Sequence, residues 1–215
     1  MPDQPGRRAR AAETQAALKA AARRVFARQG YLNTKIVDIT AEAGRAAGSF
    51  YNHFASKEEL LEALAADLFA EGSRRATAHG RHHDLADPAE LRNHVATTWY
   101  VYRDHLPEIS ALLQAGLVHE GLARRVRELR AGRVRIIEEH LVDLRAAGYE
   151  LPGDPAIVAS AMVGLLEQFC TAWLVNGGDP PGRELDDDEA IDTLTRFIRF
   201  GLLGRKEHDD EGERP

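Results

Sequence analysis

Apolar residues recur three and four positions apart along almost the whole chain, which is the spacing of a helix face that packs on a core. No stretch alternates apolar and polar residues convincingly enough to predict a strand. The pattern predicts an all-α fold of about nine helices, which we place at residues 13–29, 34–43, 46–54, 57–72, 88–107, 109–113, 120–147, 155–175 and 187–203. Asp87 can cap the helix that Pro88 begins, and Asp154 with Pro155 marks the start of the helix at 155.

The most informative stretch covers residues 30–61, where two short helices and the start of a longer one follow each other closely. Thr34 can accept a hydrogen bond from the first turn of its helix, and Gly44 can adopt the positive φ found just past a helix end. Ser56 and Glu59 have the spacing of a capping box. Two short helices joined by a glycine-bearing turn are typical of the helix-turn-helix, whose second helix enters the major groove of DNA. The stretch therefore predicts a DNA-binding module.

Charge is divided unevenly along the chain. The 215 residues carry a net charge of −6, yet residues 1–60 hold ten Lys and Arg against six Asp and Glu. The remainder holds eighteen Lys and Arg against twenty-eight Asp and Glu. A basic N-terminal unit followed by an acidic remainder is the distribution expected of a DNA-binding domain attached to a second domain that does not touch DNA.

Several other classes of protein are disfavoured. No apolar run approaches membrane-spanning length, and no apolar stretch follows the first basic residues as it would in a secretory signal. The single cysteine, Cys170, cannot form an internal disulfide. We therefore expect a cytoplasmic protein with no membrane partner.

Catalytic and metal-binding motifs are also missing from the sequence. His79, His82 and His83 cluster, but no Cys or carboxylate completes a tetrahedral zinc set at the usual spacing. There is no glycine-rich phosphate loop, nucleophile elbow or pair of cysteines. Cys170 lies among apolar neighbours, where an inert buried thiol is expected. We predict no catalytic residue, no metal and no cofactor, and hence no enzyme.

The first sixty or so residues resemble the TetR family of one-component transcriptional regulators. The matching positions form a dense and ordered set: Phe26, Gly30, Tyr31, Thr34, Asp38, Ile39, Ala43, Gly44, Gly48, Ser49, Phe50, Tyr51, His53, Phe54, Ser56, Lys57, Glu58, Glu59, Leu60 and Leu61. The rest of the chain is similar to the family only in the number and length of its helices. The resemblance implies a three-helix DNA-binding unit followed by a larger helical domain that dimerises and binds a small molecule.

Four segments follow from the resemblance and the pattern together. We expect a flexible basic arm at residues 1–10, a helix-turn-helix domain at 11–55, an effector-binding and dimerisation domain at 56–204 and a disordered tail at 205–215. The arm could lie in the minor groove or be merely solvated. The implied function is transcriptional regulation, most often repression of a palindromic operator that is relieved by a hydrophobic effector. The alternative is a helical small-molecule-binding protein or enzyme with a vestigial DNA-binding unit.

The resemblance also implies which side chains meet DNA. The candidates lie on or beside the two short helices: Thr34, Lys35, Arg45, Ala47, Gly48, Ser49, Tyr51, Asn52, His53 and Lys57. Lys57 matches the family's phosphate-binding lysine, while the hydroxyl of Ser49 and the amide of Asn52 are suited to base edges. His53 is either a phosphate contact or a packing residue.

One turn departs from the family pattern. The family usually places an apolar residue and then Ser or Thr before the recognition helix, where this chain has Arg45 and Ala46. Loss of the hydroxyl cap should cost about 1 kcal/mol. The Arg45 guanidinium could instead reach a phosphate or a guanine, or it could be a solvated turn residue.

In the second domain the resemblance implies a homodimer through helices 155–175 and 187–203, which would form a four-helix bundle with their partner copies. The former helix is apolar over more than one narrow stripe, as a helix with two partners should be. The expected effector pocket is lined by large side chains with a few polar groups among them: Thr98, Trp99, Tyr102, Leu113, Gln114, Leu117, Ile137, Leu166, Phe169 and Trp173. For any single one of these residues, filling core space is the favoured interpretation.

Overall fold

The computed structural model describes residues 4–77, 84–179 and 182–203. Within these ranges the secondary structure is helical and contains no strand, so the predicted all-α class is confirmed. The helices are α1 (Gln4–Gln29), α2 (Ile36–Glu42), α3 (Ala47–Phe50), α4 (Lys57–Thr77), α5 (Pro88–Asp104), α6 (Leu106–Gly116), α7 (Glu120–Ala146), α8 (Pro155–Cys170) with a π-helical turn at Thr171–Val175, and α9 (Asp187–Leu203).

The chain divides into two compact units. Unit 1 comprises Met1–Glu71 and Tyr102–Arg130, and unit 2 comprises Gly72–Val101 and Ala131–Pro215. The predicted boundary between residues 55 and 56 therefore differs from the one observed. The reason is packing, because α4, α6 and the start of α7 contribute to the same buried cluster as α1–α3. Its members from the later helices are Leu60, Leu61, Leu64, Ala111, Ala115 and Leu122.

Tyr31 is the centre of the unit 1 core. Its ring is fully buried and lies 5.6 Å from that of Phe26. Its hydroxyl donates a hydrogen bond of 2.8 Å to Glu58 Oε1, at the start of α4. Gly30 precedes it with φ +74° and ends α1, as the sequence predicts. The turn after α1 is thus held by Tyr31, whose ring packs on Phe26 and whose hydroxyl is hydrogen-bonded to Glu58.

Unit 2 begins its helices with the caps that the sequence predicts. Asp87 Oδ1 accepts from the amide of Ala89 at the start of α5, and Asp154 Oδ1 accepts from Ala156 at the start of α8. On α5, Arg92 donates to two carboxylates of α9, those of Asp188 and Asp192, at 2.8 and 2.7 Å. These ion pairs join α5 to α9 alongside a buried apolar face: Leu91, Val95, Trp99, Ala190, Ile191, Leu194, Ile198 and Leu202.

Three predictions about individual elements are wrong. Residues 4–10 of the expected arm are helical, because α1 begins at Gln4. Thr34 does not cap α2, since the helix begins at Ile36 and the Thr34 hydroxyl donates to the carbonyl of Gly30 at 2.6 Å. The regular part of the recognition helix is only Ala47–Phe50, with turns following it.

A fourth correction concerns membrane-spanning length. Pro155–Val175 is long and apolar enough to cross a membrane by length and composition, although only 28% of its most apolar window is buried. One such helix is weak evidence, because core helices of soluble proteins pass the same test.

The histidines at 79, 82 and 83 and the tail from residue 205 lie outside the described residues. Among those described, no group of three or more metal-ligating side chains occurs.

Candidate nucleic-acid interface

The turn between α2 and α3 has the geometry of a helix-turn-helix. Gly44 follows α2 with φ +63°, as predicted, which a residue with a Cβ rarely adopts. The amide of Arg45 then donates to the carbonyl of Thr40 at 2.9 Å. Phe50 and Phe54 are buried, so α3 is held through its apolar face. The opposite face is left to solvent.

That outer face carries most of the predicted base-contacting residues. Ala47, Gly48, Tyr51 and Asn52 are all exposed, and the Tyr51 side chain is 62% exposed. Ser49 is half-buried, and its hydroxyl donates to the carbonyl of Ala46 at 2.8 Å. The small residues at the start of α3 would allow close approach of a DNA backbone, while the phenol and amide offer donors and acceptors for base edges. His53 is half-buried at the end of this face.

Lys57 has a different environment from that of a free phosphate ligand. Its ammonium donates to the carbonyls of Tyr31 and Thr34 at 2.8 and 2.7 Å, and lies 4.0 Å from the centroid of the Tyr31 ring. Burial lowers the pKa of Lys57, and the neighbouring Glu58 carboxylate partly opposes this. In this structure Lys57 therefore joins α4 to the loop before α2. Only its remaining N–H could reach an anion.

The capping box at the start of α4 is present in a modified form. The Ser56 hydroxyl accepts from the amide of Glu59 at 3.2 Å, as predicted. The Glu59 carboxylate, however, accepts from the amide of Ala55 at 2.5 Å rather than from that of Ser56. Both of these amides at the start of α4 are therefore satisfied by side chains.

Of the two predicted DNA contacts at the start of α2, Thr34 and Lys35, only Lys35 is exposed at the surface. Thr34 is buried, so its side chain is not presented on the surface. Lys35 is exposed. Its amide donates to Asp38 Oδ2 at 2.8 Å, so the Asp38 carboxylate accepts a hydrogen bond at the start of α2, where the Thr34 hydroxyl was expected to act as the cap. Of the two, Lys35 is placed to meet a phosphate.

Arg45 lies at the turn where the sequence departs from the family pattern. Its guanidinium is 3.7 Å from Glu13 Oε1 on α1, and the side chains of both residues are largely exposed. An exposed ion pair of this length is weak and screened by salt. A phosphate could displace the Glu13 carboxylate at low cost, so the ion pair does not block a DNA contact.

A second acidic residue, Glu42, faces α1. Arg24 donates to it at 2.6 Å and Arg28 at 3.2 Å. The hydrogen bond from Arg24 is the main reason why the pKa of Glu42 is below its ordinary value. This carboxylate offsets one of the two positive charges that Arg24 and Arg28 add to unit 1.

Sequence reasoning missed the contacts that join α6 to α1 and to the loop after it. Gln114 Oε1 accepts from the amides of Tyr31 and Leu32 at 3.0 and 3.4 Å, although the sequence suggested a pocket residue. Glu108, also on α6, is buried and accepts from Arg23 of α1 at 2.5 Å. A glutamate inside an apolar helix face was a signal that a partner was required.

The predicted pocket residues fall into two groups. Tyr102, Leu113, Gln114 and Leu117 belong to unit 1, and the Leu117 side chain is 87% exposed at the end of α6. The others belong to unit 2: Thr98, Trp99, Ile137, Leu166, Phe169 and Trp173. The predicted pocket residues are thus divided between the two units.

Aromatic rings dominate the unit 2 group. The Phe169 ring centroid lies 6.0 Å from that of Trp99 and 6.0 Å from that of Trp173. The indole N–H of Trp99 donates to Asp187 Oδ1 at 2.7 Å. Trp173 lies in the π-helical turn, a distortion that often accompanies a functional site. We call these three rings the aromatic cluster.

The fold and the exposed face of α3 are those of a helix-turn-helix protein with a helical second unit. Residues 18–64 match the family described as "Bacterial regulatory proteins, tetR family". This N-terminal part of the chain is thus similar to the TetR family of transcriptional regulators.

Curated relatives match over part of their length. The HTH-type transcriptional repressor NicS of Pseudomonas putida is 37% identical over 116 residues, which are 53% of this chain and 53% of NicS. An uncharacterised HTH-type regulator of Bacillus subtilis, YerO, is 35% identical over 100 residues, 45% of this chain and 34% of YerO. The chain thus aligns with about a third to a half of these relatives.

Solved structures extend the fold likeness further along the chain. The fatty acid degradation regulator FadR from Bacillus halodurans superposes with a TM-score of 0.74, covering 89% of this chain and 97% of FadR. The sequences are 20% identical, so this likeness concerns the fold alone.

Proposed function

We propose that the protein is a ligand-responsive repressor that binds a palindromic operator as a homodimer in the cytoplasm and is released by a hydrophobic effector. The observation that carries DNA binding is the outer face of α3 and of the turn after it, where Tyr51 and Asn52 are exposed while Phe50 and Phe54 are buried. A helix anchored by one face and polar on the other is suited to the major groove. The match of residues 18–64 to the family model and the similarity to NicS support the regulatory role.

Dimerisation is supported by exposed apolar side chains on the last two helices. On α8, Ile157 is 70% exposed and Ala161, one turn further, is also exposed. On α9, Phe197 is 65% exposed and Phe200 lies on the same side. Apolar faces of this kind are expected to be covered by a partner. A two-fold axis between copies would place two recognition helices on a palindromic site.

Sedimentation velocity tests the dimer. Phe197→Glu should convert a dimer into a monomer, because a carboxylate would be buried without a partner in the interface. Val142→Glu, at an exposed apolar position of α7 in the same unit, is the matched control and should leave the dimer intact. Identical sedimentation of the parent and both variants would contradict this interface.

An effector that is mostly apolar is supported by the aromatic cluster. Phe169 and Trp173 are partly buried and turn their rings towards each other, which suits an apolar ligand with one polar group. The name of FadR, a fatty acid degradation regulator, is compatible with such an effector.

DNA binding is tested by fluorescence anisotropy on a fragment from upstream of the coding sequence, at several salt concentrations. We expect affinity to fall steeply with salt, by about 0.9 log units per phosphate contact for each log unit of salt. Tyr51→Ala and Asn52→Ala should weaken specific binding by about tenfold each, the cost of a lost base contact. Tyr149→Ala removes an exposed tyrosine of unit 2 and serves as the control.

Two outcomes would contradict the repressor. One is binding that is absent or indifferent to sequence, and the other is binding that Tyr51→Ala and Asn52→Ala leave unchanged. Either would favour a small-molecule-binding protein whose DNA-binding unit is vestigial.

A further inference from the structure

Arg133 places a positive charge beside the apolar part of unit 2. It lies on α7, and its side chain is only 27% exposed. Its Nη2 donates to the Thr98 hydroxyl at 2.7 Å, while its Nη1 lies 3.8 Å from Glu167 Oε1. The second distance is too long for a hydrogen bond. The Glu167 carboxylate therefore balances the charge of Arg133 without accepting a hydrogen bond from it.

The guanidinium has more donors than these contacts use. Arginine carries five N–H donors in a planar fork, and among the described residues only Thr98 accepts from Arg133 within hydrogen-bond distance. A partly buried cation is stabilised most by an acceptor that bonds two N–H groups at once, as a carboxylate does. The remaining donors thus have the right chemistry for a second, incoming anion.

Arg133 lies at the junction of α5 and α8 that also carries the aromatic cluster. Its two polar neighbours, Thr98 and Glu167, lie in the same helical turns as Trp99 and Phe169, whose ring centroids are 6.0 Å apart. Cys170, which is fully buried nearby, is a neutral thiol, because burial raises its pKa to about 12 against the opposing effect of Arg133. One cationic group therefore lies next to the two helical turns that carry Trp99 and Phe169.

We propose that Arg133 is the anchor for the carboxylate of an amphipathic acid, whose apolar body packs on Phe169 and Trp173. The proposal deepens the proposed function by assigning the class of effector, an apolar monocarboxylic acid. A cationic ligand is disfavoured at this point because the guanidinium would repel it. Asp187, at the start of α9, accepts the indole N–H of Trp99.

Glu167 gives the proposal a distinctive consequence. Its carboxylate competes with the effector for Arg133 and repels an incoming anion. Removing that charge should therefore strengthen acid binding, whereas removing the charge of Arg133 should abolish it. A pair that only held α7 to α8 would give neither effect.

Intrinsic fluorescence reports this site directly, because both tryptophans of the chain, Trp99 and Trp173, belong to the aromatic cluster. The full-length protein without DNA is titrated with two matched pairs of probes, decanoate with decanol and phenylbutyrate with phenylbutanol, and with choline. We expect at least one acid to change the fluorescence and to bind about tenfold or more tightly than its alcohol.

The variants then test the role of the charge. Arg133→Gln should reduce the preference for the acid to within about twofold, and Glu167→Gln should increase the affinity for the acid. Arg135→Gln, an exposed arginine on the same helix, is the control and should change neither. If Arg133→Gln does not fold, Arg133→Lys should retain a weakened preference, since it keeps the charge without the planar fork.

Equal binding of acid and alcohol, a preference that survives Arg133→Gln, tighter binding of choline, or no response to any probe would each overturn the assignment. These readouts are independent of DNA. Failure of the upstream fragment to bind would instead remove the repressor while leaving the acid site intact.

Discussion

Replacing Lys57 with methionine separates a structural role of its ammonium from a role in phosphate binding. Methionine keeps the length and apolar stem of the side chain but cannot donate to the carbonyls of Tyr31 and Thr34. We expect Lys57→Met to destabilise unit 1, because both carbonyls lose a charge-assisted donor and the Tyr31 ring loses its cation.

The magnitude follows from the geometry. A hydrogen bond to a charged group contributes about 1.5–3 kcal/mol, and the contact with the ring about 0.5–1 kcal/mol. The cost of burying the ammonium, which also lowers the pKa of Lys57, opposes these gains. A net loss of about 2–3 kcal/mol is expected, which corresponds to a fall in midpoint of about 4–12 °C for a chain of this length.

Thermal unfolding followed by circular dichroism measures the effect. Lys35→Met is the matched control, since Lys35 is exposed at the start of α2, and its midpoint should stay within about 1 °C of the parent because surface changes cost little. The reasoning is refuted if Lys57→Met unfolds at the same temperature as Lys35→Met. In that case the ammonium contributes only to phosphate binding, and DNA affinity alone would fall.

Three further predictions concern single side chains. Burial and the Glu58 carboxylate raise the pKa of Tyr31 above its ordinary value of 10.0, so the neutral phenol stabilises the fold below that pH. The stability advantage of the parent over Tyr31→Phe should shrink as the pH rises above about 10, measured by urea unfolding. Gly178→Ala should lower the thermal midpoint more than Gly148→Ala. Both glycines have φ +96°, but the new Cβ at position 178 would lie 3.1 Å from the Arg183 carbonyl and the Trp173 ring, whereas at position 148 it would meet nothing within 4 Å. Asp154→Ala should cost about 1 kcal/mol in urea unfolding through loss of the α8 cap.

Each of these has a result that would count against it. A stability difference between parent and Tyr31→Phe that does not change between pH 9 and 11, about one unit on either side of the ordinary tyrosine pKa, would deny the raised pKa. Equal midpoints for the two alanine variants would mean that the contact of Gly178 with Trp173 relaxes freely. For the cap, Asp154→Asn should keep most of the stability that Asp154→Ala loses, because asparagine also accepts from the helix amide.

Much of the fold could be predicted because its signals are local. The bounds of α9 were predicted to the residue, and Asp154 with Pro155 correctly indicated the start of α8. Caps and helix periodicity depend on residues within one or two turns, so a single sequence records them fully. The reading face of α3 was predictable for the same reason, since Phe50 and Phe54 are spaced to be buried.

Other features could not be predicted because their partners are remote. Gln114 lies 83 positions after Tyr31, whose amide it accepts, and nothing in the sequence around it indicates that partner. Thr34 has a hydroxyl that can accept from a helix amide or donate to a carbonyl, and the sequence does not distinguish the two. Arg133 was overlooked because one arginine among many on α7 is ordinarily a solvated residue.

The discontinuous make-up of unit 1 has a consequence for how the protein is made and rebuilt. Its core includes Ala111, Ala115 and Leu122, which the ribosome adds long after the helix-turn-helix itself. Unit 1 thus cannot complete its folding until synthesis has passed residue 130, where its second segment ends. A chimera that exchanges DNA specificity should accordingly carry residues 102–130 along with residues 1–71. A graft that stops at α4 would leave unit 1 without part of its own core.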